Sequence, residues 1–205
     1  MNRRAFLAAS AAAFLFFGFF GRHAMAAISA GDAKKFINGL GADALGSLTG
    51  KDLSEKDRQT RFRGMLQSNF DMPGISKFVL GRYWKLATPD QQTEFQKLLE
   101  DLLTQSYAKA FAQYAGEKFA VNGARSNDDG STIVNSIINR PNGDIIRLDW
   151  RVEDEAGKTM ITDLLVEGVS LRTTHRSDFA SAIQSNGGTV AGLLDALRQK
   201  VASQQ

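Results

Sequence analysis

Apolar residues recur at helical spacing over roughly the first half of the chain, then alternate, then return to helical spacing near the end. Phe36, Ile37, Leu40, Ala44, Leu45 and Leu48 predict an amphipathic helix over 32–48, weakened by Gly39, Gly41 and Gly46. Ser54 reads as the cap of a second helix, with Asp57 three residues on and Phe62, Met65, Leu66 and Phe70 turned inward. The segment Phe70-Asp71-Met72-Pro73-Gly74 breaks it. A short helix from Ile75 to Leu80 follows, closed by Gly81-Arg82-Tyr83-Trp84. Thr88-Pro89-Asp90-Gln91 is the strongest local signal: a Thr cap, Pro in the first helical position, an acid in the first turn and Gln at the third position. It opens a long helix in which Phe95, Leu98, Leu99, Leu102, Leu103, Ala110, Phe111 and Tyr114 keep the 3.6 period, with Tyr107 among them and Gly116 as its end.

Beyond Gly116 the period becomes two. Phe119 and Val121 mark one strand, and Asp128-Asp129-Gly130 turns into Ile133–Asn139. Pro141-Asn142-Gly143-Asp144 turns again into Ile145–Glu153, and Glu155-Ala156-Gly157-Lys158 leads to a fourth strand at Thr159–Val166. Strict alternation places Ile146, Leu148, Trp150 and Val152 on one face of the third strand. In the fourth it groups Met160, Thr162, Leu164 and Val166 against Ile161, Asp163, Leu165 and Glu167. A second β-prone run follows Gly168, and Ser177, with Asp178 behind it, is the predicted cap of the next helix. Gly187-Gly188 ends that helix, and Thr189 caps a last one with Leu193, Leu194, Leu197 and Val201 inward. Segregated helices, strands and helices predict an α+β fold: a twisted four-stranded antiparallel meander packed with several helices.

The N-terminus changes the charge argument. Arg3 and Arg4 precede an apolar run from Ala5 to Phe20, and Ala24-Met25-Ala26 forms a small-x-small site, so residues 1–26 read as a signal peptide and 27–205 as one exported domain. Asn2-Arg3-Arg4-Ala5-Phe6-Leu7 also resembles a twin-arginine export signal. The apolar run falls short of the roughly 20 residues of a membrane span, which disfavours an uncleaved anchor. Of the 25 basic residues, Arg3, Arg4 and Arg22 fall in the leader with no acid beside them, leaving 22 basic against 22 acidic residues. The formal charge of +3 therefore belongs to the leader. Without a basic, aromatic-interleaved stretch in the remainder, nucleic acid is not an expected partner.

Candidate chemistry is sparse. Cysteine is absent and His175 is the single histidine after the leader, which argues against a thiolate or zinc-type metal site. Ser170, Asp163 and His175 are residue types that could form a triad, yet no nucleophile-elbow spacing supports them, and no catalytic residue is assigned. Gly187-Gly188 and Gly39-x-Gly41 lack the lysine and strand context of a phosphate loop. The chain is not expected to be an enzyme.

Two blocks carry a family resemblance: Phe78-Val79-Leu80-Gly81-Arg82-Tyr83-Trp84-Lys85-Leu86-Ala87-Thr88-Pro89-Asp90-Gln91, running on through Phe95 to Tyr107, and Asp163-Leu164-Leu165-Val166-Glu167-Gly168-Val169-Ser170-Leu171. With the leader, the Pro141-Asn142-Gly143 turn and the C-terminal helices, the chain resembles the periplasmic phospholipid-binding component of the Mla (maintenance of lipid asymmetry) system, the toluene-tolerance or organic-solvent-resistance auxiliary family. The resemblance implies a periplasmic carrier with phospholipid as cargo and no cofactor. Its implied partners are an inner-membrane ABC transporter complex and an outer-membrane lipoprotein complex. Other lipids, hopanoid or sterol-like, and a purely protein-binding module are the alternatives. Covering roughly 30 CH2 groups at about 0.8 kcal/mol each amounts to some 25 kcal/mol of gross transfer energy, so such a carrier needs an apolar cavity. The expected lining is Phe70, Ile75, Val79, Tyr83, Leu102, Tyr107 and Phe111 from the helices, with Ile138, Leu148, Trp150, Leu164, Val166 and Val169 from the sheet. Arg82, Arg172 and Arg176 are candidates for head-group or partner contacts.

Overall fold

Side-chain caps set the helix starts in the structure, a computed structural model that describes residues 28–203. The predicted leader and its cleavage site lie outside the described residues. Ser29 caps α1 (Ala30–Leu48) and Ser54 caps α2 (Glu55–Asn69), each accepting the backbone N–H three residues on at 3.1 Å. Asp71 caps α3 (Met72–Leu80) by accepting from Gly74 N, so α3 starts before Ile75 and holds Pro73 in its first turn, where a missing N–H costs nothing. A 3-10 turn, Gly81–Lys85, leads to α4 (Pro89–Ala112). There Thr88 Oγ1 accepts from Gln91 N at 3.2 Å while Gln91 Oε1 accepts from Thr88 N at 3.0 Å, completing the capping box. Gly81 adopts φ 59°, a conformation that favours glycine, and the Arg176 guanidinium packs close over it, with Nε 3.1 Å from where a Cβ would stand.

Five antiparallel strands follow in sequential order: β1 (Lys118–Ser126), β2 (Thr132–Asn139), β3 (Ile145–Glu155), β4 (Lys158–Val166) and β5 (Val169–Ser170). The expected four-stranded meander is thus extended by a two-residue edge. Its cause is the Glu167-Gly168 turn, both residues in the left-handed region at φ 49° and 79°, which folds Val169 back on Val166 and Ser170 on Leu165. Ser170 then caps α5 (Leu171–Ser185) directly, its Oγ accepting from Thr173 N at 3.1 Å. The helix therefore begins seven residues before the position that a cap at Ser177 predicts. Capping overrides the β-prone Thr173 and Thr174, whose Oγ1 (Thr174) also donates to Ser170 O. Thr189 caps α6 (Val190–Ala202).

A second correction concerns the faces of β4. Arg151 pairs with Asp163 but Val152 pairs with Ile161, leaving Thr162 as an extra residue in a β-bulge. Ile161 is thereby fully buried with Val152 instead of lying on the opposite face, while Leu164 and Val166 stay beside their partners Trp150 and Leu148. A similar shift passes over Asn122 in β1.

Buried apolar side chains form two clusters. One unites α3, α4, α5 and α6 around Phe95, Leu99, Ile183, Leu193 and Leu194; the other packs Ala33 and Ile37 of α1 on Val134, Val152 and Ile161 of the sheet. Phe70, at the α2–α3 junction, packs against both. Elsewhere on the strands and the β1–β2 turn, polar side chains pair: Arg151 reaches Asp129 at 2.7 Å and Glu153 at 2.5 Å, and Asn135 donates to Asp149 at 2.6 Å. The Ser131 hydroxyl and the Arg151 guanidinium hold the Asp129 carboxyl well below the usual carboxylate range. No helix among the described residues is long and apolar enough to cross a membrane.

Candidate functional site

Between the two clusters the walls do not close. A chamber of about 450 Å³ remains, within the range of about 300–1,000 Å³ typical of small-molecule sites. One wall is the inward face of the sheet, with Ile146, Leu148 and Trp150 alternating along β3 and Leu164 and Val166 beside them on β4. The Trp150 indole N–H is spent on Ser136 Oγ at 2.8 Å. Opposite stand Phe70, Met72 and Ile75 around the start of α3 and Leu103, Tyr107, Ala110 and Phe111 on α4. The remaining wall comes from Leu40, Ala44, Leu45 and Leu48 of α1 with Phe62, Met65 and Leu66 of α2. At Gly41 an added Cβ would overlap the Phe119 ring, so the approach of α1 to β1 depends on that glycine.

Nine of the thirteen expected residues line the chamber: Phe70, Ile75, Tyr107, Phe111, Ile138, Leu148, Trp150, Leu164 and Val166. The other four lie elsewhere. Val79, Tyr83 and Leu102 sit in the all-helical cluster, because α5 and α6 cover the faces of α3 and α4 that periodicity alone shows only as apolar. Val169 is 57% exposed on the edge strand. The α1 and α2 residues are absent from the expected lining although their inward faces are visible as helical periodicity. Spacing says which side chains turn inward, not whether another side chain meets them.

Polar groups concentrate in two places on the wall. Near the end of α4 and the start of β1, Tyr114 donates to Glu117 O at 2.8 Å, and Glu117 accepts from Ala115 N at 2.7 Å, which lowers its pKa, aided by nearby Arg140. Near the β4 bulge and the first turns of α5 lie Thr162, Asp163, Arg172 and His175. Asp163, 6% exposed, accepts from Ser170 Oγ (2.7 Å), Leu164 N (2.9 Å) and Arg172 N (3.3 Å), and Arg172 Nε approaches it at 3.4 Å. Arg172 also lies 4.4 Å over the Phe78 ring. Ser170 thus gives its proton to Asp163, and His175 Nε2 has no hydrogen-bond partner, so these three do not form a nucleophile–base–acid relay. Burial pushes the His175 imidazole below, and the Tyr107 phenol above, their ordinary values.

Of the other arginine candidates, Arg82 donates to the Tyr83 hydroxyl at 2.9 Å, and Arg176 stacks 5.0 Å over Phe78; neither lines the chamber. A second hollow of about 490 Å³, lined by Gln67, Gln96, Glu100, Glu155 and Lys158 among others, shares Phe70 and Met72 with the chamber. No group of three or more potential metal-ligating His, Cys, Asp or Glu side chains occurs among the described residues.

A five-stranded antiparallel sheet packed with six helices beside an apolar hollow is the architecture of the described residues. The chain belongs to the MlaC protein family, whose pattern matches residues 42–199. It is 26% identical over 171 residues to the toluene tolerance protein ttg2D of Pseudomonas putida, covering 81% of this chain and 80% of that protein. It is 28% identical over 97 residues to the intermembrane phospholipid transport system binding protein MlaC of Haemophilus influenzae, 45% of each chain. The fold matches that of a phospholipid-binding protein from Ralstonia solanacearum, solved in complex with a phospholipid, with a TM-score of 0.72 at 27% identity, covering 84% of this chain and 98% of that one.

Proposed function

We propose that this chain is a periplasmic lipid carrier that holds a glycerophospholipid by its acyl chains in the chamber and shuttles it between an inner-membrane ABC transporter complex and an outer-membrane lipoprotein complex. The observation that carries the reading is the apolar chamber between sheet and helices, in a fold that matches a protein solved with phospholipid. Phe70, Ile75, Tyr107, Phe111, Ile138, Leu148, Trp150, Leu164 and Val166 are the proposed acyl-chain contacts. Hydrocarbon burial supplies the affinity at about 0.8 kcal/mol per CH2, and the polar groups on the wall orient the lipid, since single hydrogen bonds contribute only about 0.5–1.5 kcal/mol net. The reading invokes neither a cofactor nor a catalytic step.

Native mass spectrometry of gently purified protein tests this. A glycerophospholipid adduct is expected on the wild type, and Leu148→Asp and Val166→Asp, verified as folded by circular dichroism, are expected to lose most of it. A wild type that carries no lipid, or variants with undiminished occupancy, would overturn the proposal. The mass of the extracted lipid separates a glycerophospholipid from a hopanoid or sterol-like cargo.

A further inference from the structure

We propose that Phe70, with Met72 beside it, is the floor of the chamber and fixes the longest acyl chain the protein accepts; this rests on the lipid-carrier reading above. Strand pairing gives the chamber a direction. Its sheet wall runs from the Ile138–Ile146 pair through Leu148–Val166 to Trp150–Leu164, and the next apolar pair, Val152–Ile161, is completely buried. At the first end lie exposed Arg140 and Tyr114, which is 36% exposed and bonded to Glu117 O, one residue before the Lys118–Asn139 pair. That end is the mouth. At the opposite end the Phe70 backbone forms a parallel bridge with Ile161, and Asp71 N donates to Ile161 O at 3.0 Å. Phe70 is thus fastened to the sheet where the chamber's wall stops.

Phe70 and Met72 are the two residues that line both the chamber and the hollow of about 490 Å³. The hollow has walls of another kind. Glu100, 7% exposed, accepts from Gln67 Nε2 at 2.9 Å and Gln96 Nε2 at 3.4 Å, with no ion pair among the described residues, and Asp71, Glu155 and Lys158 add further polar surface. A hydrocarbon tail that passed Phe70 would shut these groups off from water, and covering a carboxylate that lacks a cation is costly. The partition therefore has an apolar side and a polar side, and Phe70 is held in it by packing on both apolar clusters. Chain-length selection follows. A methylene that moves from a bilayer into the chamber exchanges one hydrocarbon setting for another, whereas one that overhangs the mouth meets water and lowers relative loading about fourfold.

The test offers purified, lipid-stripped protein vesicles that hold an equimolar series of phosphatidylethanolamines of graded acyl length, and reads the loaded species by native mass spectrometry. Wild-type loading is expected to be level up to a limiting length and to fall about fourfold with each further methylene. Relative to the shorter chains in the same sample, Phe70→Leu should recover most of the roughly fifteenfold loss that the wild type shows two methylenes past its limit. A phosphatidylethanolamine with a photoreactive diazirine at its tail end reads the position directly: peptide mapping should find crosslinks at Phe70 or Met72 in the wild type, and at Met160 as well in Phe70→Leu. Level wild-type loading across the whole series, an unmoved limit in folded Phe70→Leu, or wild-type crosslinks confined to mouth residues such as Tyr114 would overturn the proposal. If Phe70→Leu does not fold, the wild-type crosslinks decide the matter. A wild type that loads no member of the series would overturn the carrier reading itself.

Discussion

Arg58 shows how a single side chain can hold a connection together. It is 7% exposed and donates to the carbonyls of Leu48 (2.9 Å), Gly50 (3.2 Å) and Leu53 (3.1 Å), satisfying acceptors at the C-terminus of α1 and in the loop into α2. Hydrogen bonds from a charged group contribute about 1.5–3 kcal/mol, so Arg58→Leu is expected to lower unfolding free energy by about that amount in urea titrations. His175 gives a pH signature of its own. With its folded value depressed, the unfolded chain binds the proton more readily, so stability is full above the ordinary histidine value of about 6.5 and declines as pH falls through it toward the folded value. Thermal melts at pH 7.5 and 5.5 should show the decline, and His175→Phe should reduce it; an identical decline in the variant would assign the effect to other groups.

Among the elements, α1 carries a separable pair of glycine effects. Gly39 is exposed with open space around its Cβ position, so Gly39→Ala should stabilise the helix by about 0.5–1 kcal/mol, read as a raised melting temperature. Gly41→Ala carries the same propensity gain but must displace the Phe119 ring, which lines the chamber, so it should perturb lipid occupancy more than stability. The start of α4 was readable from Thr88-Pro89-Asp90-Gln91 because every determinant of a capping box is local. The β5 edge and the early start of α5 were not. They depend on a turn with two left-handed residues, one of them Glu167, and on Asp163 receiving the Ser170 hydroxyl across seven residues. The Thr162 bulge is equally hidden, since Ile161-Thr162-Asp163 reads as unbroken alternation and only pairing with β3 shows the inserted residue. Most of the expected chamber residues on β3, β4 and α4 line it, while Val79, Tyr83 and Leu102 do not, because α5 and α6 come to cover them from a part of the chain too distant for periodicity to register.

At the scale of the whole molecule, a ligand held in the chamber stabilises the folded chain by mass action. Stripping it should lower the melting temperature, and re-addition of phospholipid should restore it; at free lipid 100-fold above Kd the difference amounts to about 2.7 kcal/mol. Calorimetry of stripped and reloaded protein checks this, and coincident transitions would count against occupancy of the chamber. The division of the interior into two apolar clusters, with Phe70 packed against each, has a mechanical corollary. Each half of the molecule has a dry interior of its own, and Phe70 is the side chain the two share, so truncating it is expected to loosen both at once.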